Sequence, residues 1–539
     1  MTGEPDSARW RTLAAYALLV AYVVVRELGN SAYDDSYFFK RFALHAVEHG
    51  VYAWNLGDGP VHGSTSQLFQ LLTTPIVLLT KTHFIAVVRV LDGVFLVLTA
   101  AVLLRVARAP WVLLAMGNAL VLSAVRTNME TALALAVLAV ALVRELRPAR
   151  GSTLRHDVGS AVATVLVYLA RPDAALIVAV VAVLRRRWAG QPWLPYGALL
   201  AAMMAATWAA LWGYYGTALP LSFHIKALGL HSYGPHVSAG RWREKLPHLL
   251  ALSFTAAPLV WVLVRARVWR RRDATLALVL AAAAFVGYHA VGTHEIMGYR
   301  ARFYVPALIP LCLAASRAWP DAKVTLRGAA AFVLGWGACM VVATRMGWAP
   351  NGQGFFLTTL PWPTYAMLLG AGVLALAWPH RPLAVVACLL VGTVLWIPLD
   401  DPALRSDAAV LHRHDREVTT ARGVDDVARC LPPGSTVYHS EMGVPGLALY
   451  RMRVVDLAGL LSTDIALHGL RFEERCSVEH PEAIFLPHKN YRALNAEIAA
   501  SPCFGDYVQV VRRSSSPLYV RADLASDFLA CGTAYREWR

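Results

Sequence analysis

Residues 66–80 read Ser-Gln-Leu-Phe-Gln-Leu-Leu-Thr-Thr-Pro-Ile-Val-Leu-Leu-Thr, and how this stretch lies decides the path of everything after it. It is apolar, but shorter than the roughly 20 residues an α-helix needs to cross hydrocarbon, and Thr73, Thr74 and Pro75 interrupt it. Such a length suits an interfacial or re-entrant helix rather than a span. The Ser-Thr-Ser at 64–66 suits its N-terminal cap.

The surroundings of this segment are those of a membrane protein. Of 539 residues 57% are hydrophobic and only 16% charged, with mean hydropathy +0.47. Soluble domains carry about 25% charged residues, so the composition argues against a soluble enzyme of this length. Apolar runs fall near 12–27, 86–104, 110–125, 130–143, 158–170, 174–184, 194–213, 248–264, 274–292, 303–316, 324–344, 362–378 and 383–398. The first has no small-residue cleavage site and reads as a retained span rather than a signal peptide. If 66–80 crossed the membrane, the arginines at 144–155 and 185–187 would lie outside. If it does not, every later arginine-rich link faces the cytoplasm, as the positive-inside rule requires.

The sequence therefore predicts about 13 spans in the plasma membrane, N-terminus cytoplasmic and C-terminus outside. The net charge of +15 reads as orientation signal, not as a nucleic-acid surface. The expected fold is a polytopic α-helical membrane domain over 1–399, with a first external loop at about 28–85, followed by an extracytoplasmic α/β domain over 400–539. Strand-like runs at 435–439, 453–457, 483–486 and 507–512 alternate there with helical patterns. Cys430, Cys476, Cys503 and Cys531 lie in that domain; two disulfides in any of three pairings, or buried free thiols, both fit. Cys312, Cys339 and Cys388 lie in apolar runs and read as packing residues.

The polar residues that spans cannot hold collect in the expected external loops. Asp34 and Asp35 follow the first span at the membrane boundary, where a partly desolvated carboxylate can serve as general base toward a hydroxyl. Standing alone, the pair would read more simply as a helix cap. Two tight corners, 126–130 and 171–173, carry Glu130, Arg171 and Asp173. The loop at 214–247 brings His224 and Lys226, and the one at 292–302 brings His294, Arg300 and Arg302. A phosphate leaving group needs fixed cations, for which Lys226, Arg300 and Arg302 are candidates; contact with lipid headgroups accounts for each equally well.

In order, these signals resemble the GT-C superfamily of polyprenyl-phosphate-sugar-dependent glycosyltransferases, and within it the branch of actinobacterial arabinofuranosyltransferases. The matching residues are Asp34, Asp35, Tyr37 and Arg41, then Asn55, Gly57, Gly63, Thr65 and Ser66. Met129–Thr131 matches a Met-Glu-Thr corner, and 171–173 an Arg-Pro-acid corner. Residues 219–226 match a Leu-Pro-x-x-Phe-x-x-Lys element in which Ser222 and His224 replace the commoner Asn and Tyr. Residues 299–306 resemble the start of a later span, and 442–460 the extracytoplasmic domain of that branch. The chain departs at His62, where Glu is common, and at 126–128.

The resemblance implies an inverting transfer of a sugar, arabinofuranose being the one this branch suggests, from a polyprenyl-phosphate donor to a cell-envelope glycan or other hydroxyl acceptor. Asp34 or Asp35 would be the base, while Arg41, Glu130, Arg171, Asp173, His224, Lys226, His294, Arg300 and Arg302 would bind donor phosphate or substrate. No cofactor is implied with certainty: divalent ions occur in parts of the superfamily, but no carboxylate cluster or metal-ligand spacing compels one. The alternative is a transporter or flippase for a lipid-linked or sugar substrate. Asp92, the clearest charge within a span, is its one support, and no internal repeat accompanies it.

Overall fold

The computed structural model describes residues 6–28, 36–147, 153–226, 241–292, 301–345, 362–378, 384–389, 421–487, 491–511 and 516–537. The chain is mostly helical, with one small sheet near its C-terminus, and divides into two compact units. The first comprises 1–29, 88–207 and 240–403; the second gathers 30–87 and 208–239 together with 404–539.

Among the described residues four helices are long and apolar enough to cross a membrane: Asp6–Glu27, Phe84–Leu104, Leu194–Tyr215 and Ala274–Gly292. Only 6% of the Leu194–Tyr215 window is buried. An apolar helix so exposed has lipid as its natural surroundings. In the first unit the helices pack through a continuous aliphatic core that includes Leu135, Leu142, Val178, Ala281 and Ile309.

The apolar run expected as one span at 110–125 is instead two helices, Ala109–Met116 and Ala119–Thr127. The cause is local. The Asn118 side-chain amide donates to the Leu114 and Ala115 carbonyls, closing the first helix, and its oxygen accepts the Val121 N–H, opening the second. A different correction applies at 248–264, where the helix starts earlier and runs Arg241–Arg265.

In the second unit, residues 67–79 form the helix Gln67–Leu79. Ser66 Oγ accepts the Phe69 N–H at 3.2 Å, as the Ser-Thr-Ser stretch predicts. Thr73 and Thr74 both donate to the Gln70 carbonyl one turn before Pro75, whose ring disturbs the helix there. The sheet has order β2-β1-β3-β5-β4, with β1 Thr436–His439, β2 Arg453–Asp456, β3 Ala483–Phe485, β4 Tyr507–Val511 and β5 Leu518–Arg521. β1 runs parallel to β2 and β3, while β5 is antiparallel to β3 and β4. Four of the five strands coincide with the expected runs; β5 was not foreseen. Cys430 bonds Cys531 and Cys476 bonds Cys503, which selects one of the three pairings.

An edge strand exposes unpaired backbone groups. β2 covers its edge with the first loop: the Asn55 side chain both donates to the Val454 carbonyl and accepts the Val454 N–H, and Trp54 Nε1 donates to the same carbonyl. Trp54 is fully buried and lies so close to Gly446 that a Cβ there would fall 2.2 Å from the ring. Only glycine fits at 446 without moving the indole.

Candidate active site

The polar residues of the first unit converge where two corners meet. The Ala119–Thr127 helix ends on Asn128, whose left-handed φ of 52° is a conformation asparagine tolerates. The turn that follows places Glu130 immediately before the Thr131–Leu146 helix, where a carboxylate favours the positive helix end. Asn128 Oδ1 accepts Arg89 Nε at 3.0 Å from the Phe84–Leu104 helix, which fixes this corner.

The second corner lies between Thr153–Ala170 and Ala175–Trp188. Pro172 keeps the preceding Arg171 extended (φ −165°, ψ 106°), ending one helix and swinging the guanidinium sideways. Arg171 Nε donates to Asp173 at 3.0 Å, and Asp173 Oδ1 also accepts the Ala174 N–H. Burial opposes ionisation of Asp173, but the Arg171 guanidinium and the hydrogen bond from His289 outweigh it, holding the carboxyl well below the usual range.

Arg171 Nη1 stands 4.0 Å from Glu130 Oε1, beyond a hydrogen bond. Both side chains are buried, and neither Arg171 Nη1 nor Glu130 Oε2 has a hydrogen-bond partner among the described residues. Arg302, buried nearby, contacts Met129 Sδ and lies over the Phe303 ring, over which Arg171 also stacks at 5.4 Å. Glu130, Arg171, Asp173 and Arg302 are thus brought together. Two positively charged groups and a carboxylate with unspent hydrogen-bonding capacity, in a buried setting, suit an anionic ligand that carries hydroxyls.

Two members of this cluster were not foreseen in the sequence. His289 Nε2 lies 2.6 Å from Asp173 Oδ2, and Lys245 Nζ donates to the carbonyls of His289 and Ala290. His289 sits inside an apolar run and gives no motif signal; an ionisable residue in such a run is the only clue.

Arg41 requires a correction. Expected on substrate, it is fully buried in the second unit and all five of its N–H groups are spent. Nε donates to the Trp54 carbonyl, Nη1 to Gly446 and Leu449, and Nη2 to Asn55 Oδ1 and Met452. With the Trp54 ring 4.3 Å from its guanidinium carbon, Arg41 is a clamp inside that unit. His224 is half-buried on the short helix Leu221–Lys226, which Lys226 ends. Asp34, Asp35, His294 and Arg300 lie outside the described residues. Among the described residues no group of three or more His, Cys, Asp or Glu is arranged to hold a metal ion.

No protein-family model matches the chain, and no curated protein matches it. Solved structures do. ArnT from Cupriavidus metallidurans bound to undecaprenyl phosphate is similar at a TM-score of 0.58 and 14% identity, covering 97% of this chain and 99% of that one. The apo form of the same protein gives 0.59 and 16% over the same shares. The arabinofuranosyltransferase AftD from Mycobacteria gives 0.45 and 13%, with 40% of that chain covered, a likeness too distant to carry an argument. Matched nearly end to end by ArnT, this chain shares the fold of that protein.

Proposed function

We propose that the chain is an inverting glycosyltransferase that moves a sugar from a polyprenyl-phosphate donor to a glycan or other hydroxyl acceptor on the outer face of the plasma membrane. The observation that carries this reading is the Glu130–Arg171 gap: Arg171 Nη1 stands 4.0 Å from Glu130 Oε1, and among the described residues neither Nη1 nor the other Glu130 oxygen, Oε2, has a hydrogen-bond partner. Buried polar groups are nearly always satisfied, so an unsatisfied pair in the interior points to a missing ligand. A lipid phosphate supplies an acceptor for Arg171 Nη1, with the Arg302 charge nearby, and a sugar or acceptor hydroxyl supplies the donor for Glu130. The likeness to a protein solved with undecaprenyl phosphate supports a polyprenyl carrier.

In the reaction the acceptor hydroxyl oxygen bonds to the anomeric carbon as the carbon–oxygen bond to phosphate breaks. The electron pair leaves on the phosphate oxygen, where the arginines neutralise it, and the hydroxyl proton passes to a carboxylate. On the resemblance, that carboxylate is Asp34 or Asp35, and Lys226, Arg300, His224 and His294 make further substrate contacts. Arabinofuranose is the sugar this branch suggests. About 13 spans, a cytoplasmic N-terminus and an external second domain complete the reading; two disulfides in that domain support an oxidising compartment.

The test is transfer from synthetic polyprenyl-phospho-sugars of varied sugar identity, with Asp34→Asn and Asp35→Asn assayed separately. Loss of a general base lowers the rate by about 10²–10⁴-fold. One of the two substitutions should do so. Full transfer by both removes the assignment.

A further inference from the structure

Arg171 can offer Nη1 to a ligand only if something else holds its Nε edge. That edge belongs to Asp173, so the orientation of the guanidinium depends on the orientation of one carboxylate. Asp173 is in turn fixed at two points: Oδ1 accepts the Ala174 N–H at 3.1 Å, and Oδ2 meets His289 Nε2 at 2.6 Å. Because Asp173 is held in its ionised form, it can only accept, and Nε2 must carry the proton.

The imidazole has little freedom of its own. Phe303 lies nearly parallel to it, 9° off at 5.6 Å, while Phe285 and Tyr304 meet its faces at steep angles. Its backbone carbonyl is tied by Lys245 at the C-terminal end of the Ala274–Gly292 helix, an end that favours a cation. Phe303 also lies beneath Arg171, so one ring supports both ends of the chain of contacts.

We infer that His289 is a positioning residue: through Asp173 it aims the free edge of Arg171 at the phosphate of the polyprenyl ligand. This rests on the proposed phosphate site. A purely structural role would staple the start of the Ala175–Trp188 helix to the end of Ala274–Gly292 and would not alter ligand affinity. A positioning role sets the donor geometry, and affinity for the charged headgroup then follows the hydrogen bond rather than the packing.

The experiment uses the full-length protein in lipid nanodiscs and reads the Kd for undecaprenyl phosphate, with uncharged undecaprenol as control. His289→Ala should weaken undecaprenyl phosphate binding by about tenfold and leave undecaprenol unchanged, while His289→Gln, whose amide N–H reaches a similar place, should return to within about twofold of wild type. Equal weakening by both variants, wild-type affinity in His289→Ala, or parallel losses for both lipids would overturn the inference. Arg171→Ala separates the two claims. If it binds undecaprenyl phosphate normally, the phosphate site itself is refuted and this inference with it. If Arg171→Ala loses binding while His289→Ala retains it, only the positioning role falls.

Discussion

The helices Thr131–Leu146, Thr153–Ala170 and Ala175–Trp188 carry a buried ion network at each of their two ends, roughly 24 Å apart at 1.5 Å per residue. The residue types are nearly the same: an arginine, two carboxylates and a histidine. At the Arg186 end every N–H of Arg186 is used. Nε and Nη2 donate to Asp157, Nη1 to Glu145 and the Ala182 carbonyl, and Nη2 also reaches His156. Ser160 satisfies the second oxygen of Glu145, and the Tyr196 ring covers the guanidinium. At the Arg171 end the contacts stop short: Nη1 and Glu130 Oε1 stand 4.0 Å apart, and Nη1 and Glu130 Oε2 have no hydrogen-bond partner among the described residues. A buried charge is tolerated only when it is paired. Arg185 Nη1 and His156 Nε2 stay without hydrogen-bond partners among the described residues at the Arg186 end, so the contrast is between the two central arginines: Arg186, fully paired, makes a staple, and Arg171, incompletely paired, makes a site.

That contrast can be broken by measurement. The largest effect is expected at the saturated end. Arg186→Ala removes the cation hydrogen-bonded to Glu145 and Asp157, leaving Glu145 only the longer 3.7 Å contact with Arg185, which costs about 3–5 kcal/mol. Melting temperature and folded yield should fall sharply, while the protein that does fold should bind undecaprenyl phosphate within about twofold of wild type. Wild-type stability there would sink the staple. Arg171→Ala should reverse the pattern: a roughly 10–100-fold loss of lipid-phosphate affinity, with a smaller loss of stability because Asp173 keeps its bonds to His289 and Ala174. If the two substitutions produce the same profile, the distinction between the ends is false.

The smallest effect concerns acid, and it is expected in the second unit. In the second unit, burial keeps His45 and His62 neutral, lowering each to about 4, and His439 to about 3. The unfolded chain takes up those protons near pH 6.5. Their contribution to stability is therefore complete above pH 6.5 and declines as pH falls toward 4. Hydrogen exchange on the full chain between pH 7 and 5 should show protection lost first in β1–β3, and His439→Gln should shallow that decline. Earlier loss in the Ala175–Trp188 helix would contradict this.

The sequence makes some of this architecture readable and hides the rest for physical reasons. Apolar runs mark helices because lipid and core both demand them, and four strands follow from β-branched clusters. The break at Asn118 was missed because a side chain that closes one helix and opens the next looks like any polar residue in a long run. Glu130, Arg171 and Asp173 stood out because corners between apolar runs are where charge is affordable. His289 did not, since its importance lies in a contact 116 positions away. Arg41 was misassigned for the opposite reason: a motif made it conspicuous, and no local pattern reveals five acceptors drawn largely from residues 446–452.

The Asn55–Val454 pairing links residues 399 positions apart. At about 5–20 residues per second of synthesis, the early loop waits roughly 20–80 seconds before the strand it must cover has been made. During that interval Arg41 lacks three of its five acceptors and the Trp54 indole N–H lacks its one. Removing the C-terminal segment would not trim an appendage; it would leave the nascent loop permanently without the surface it folds on, and such a truncation should yield misassembled protein instead of a shorter working one.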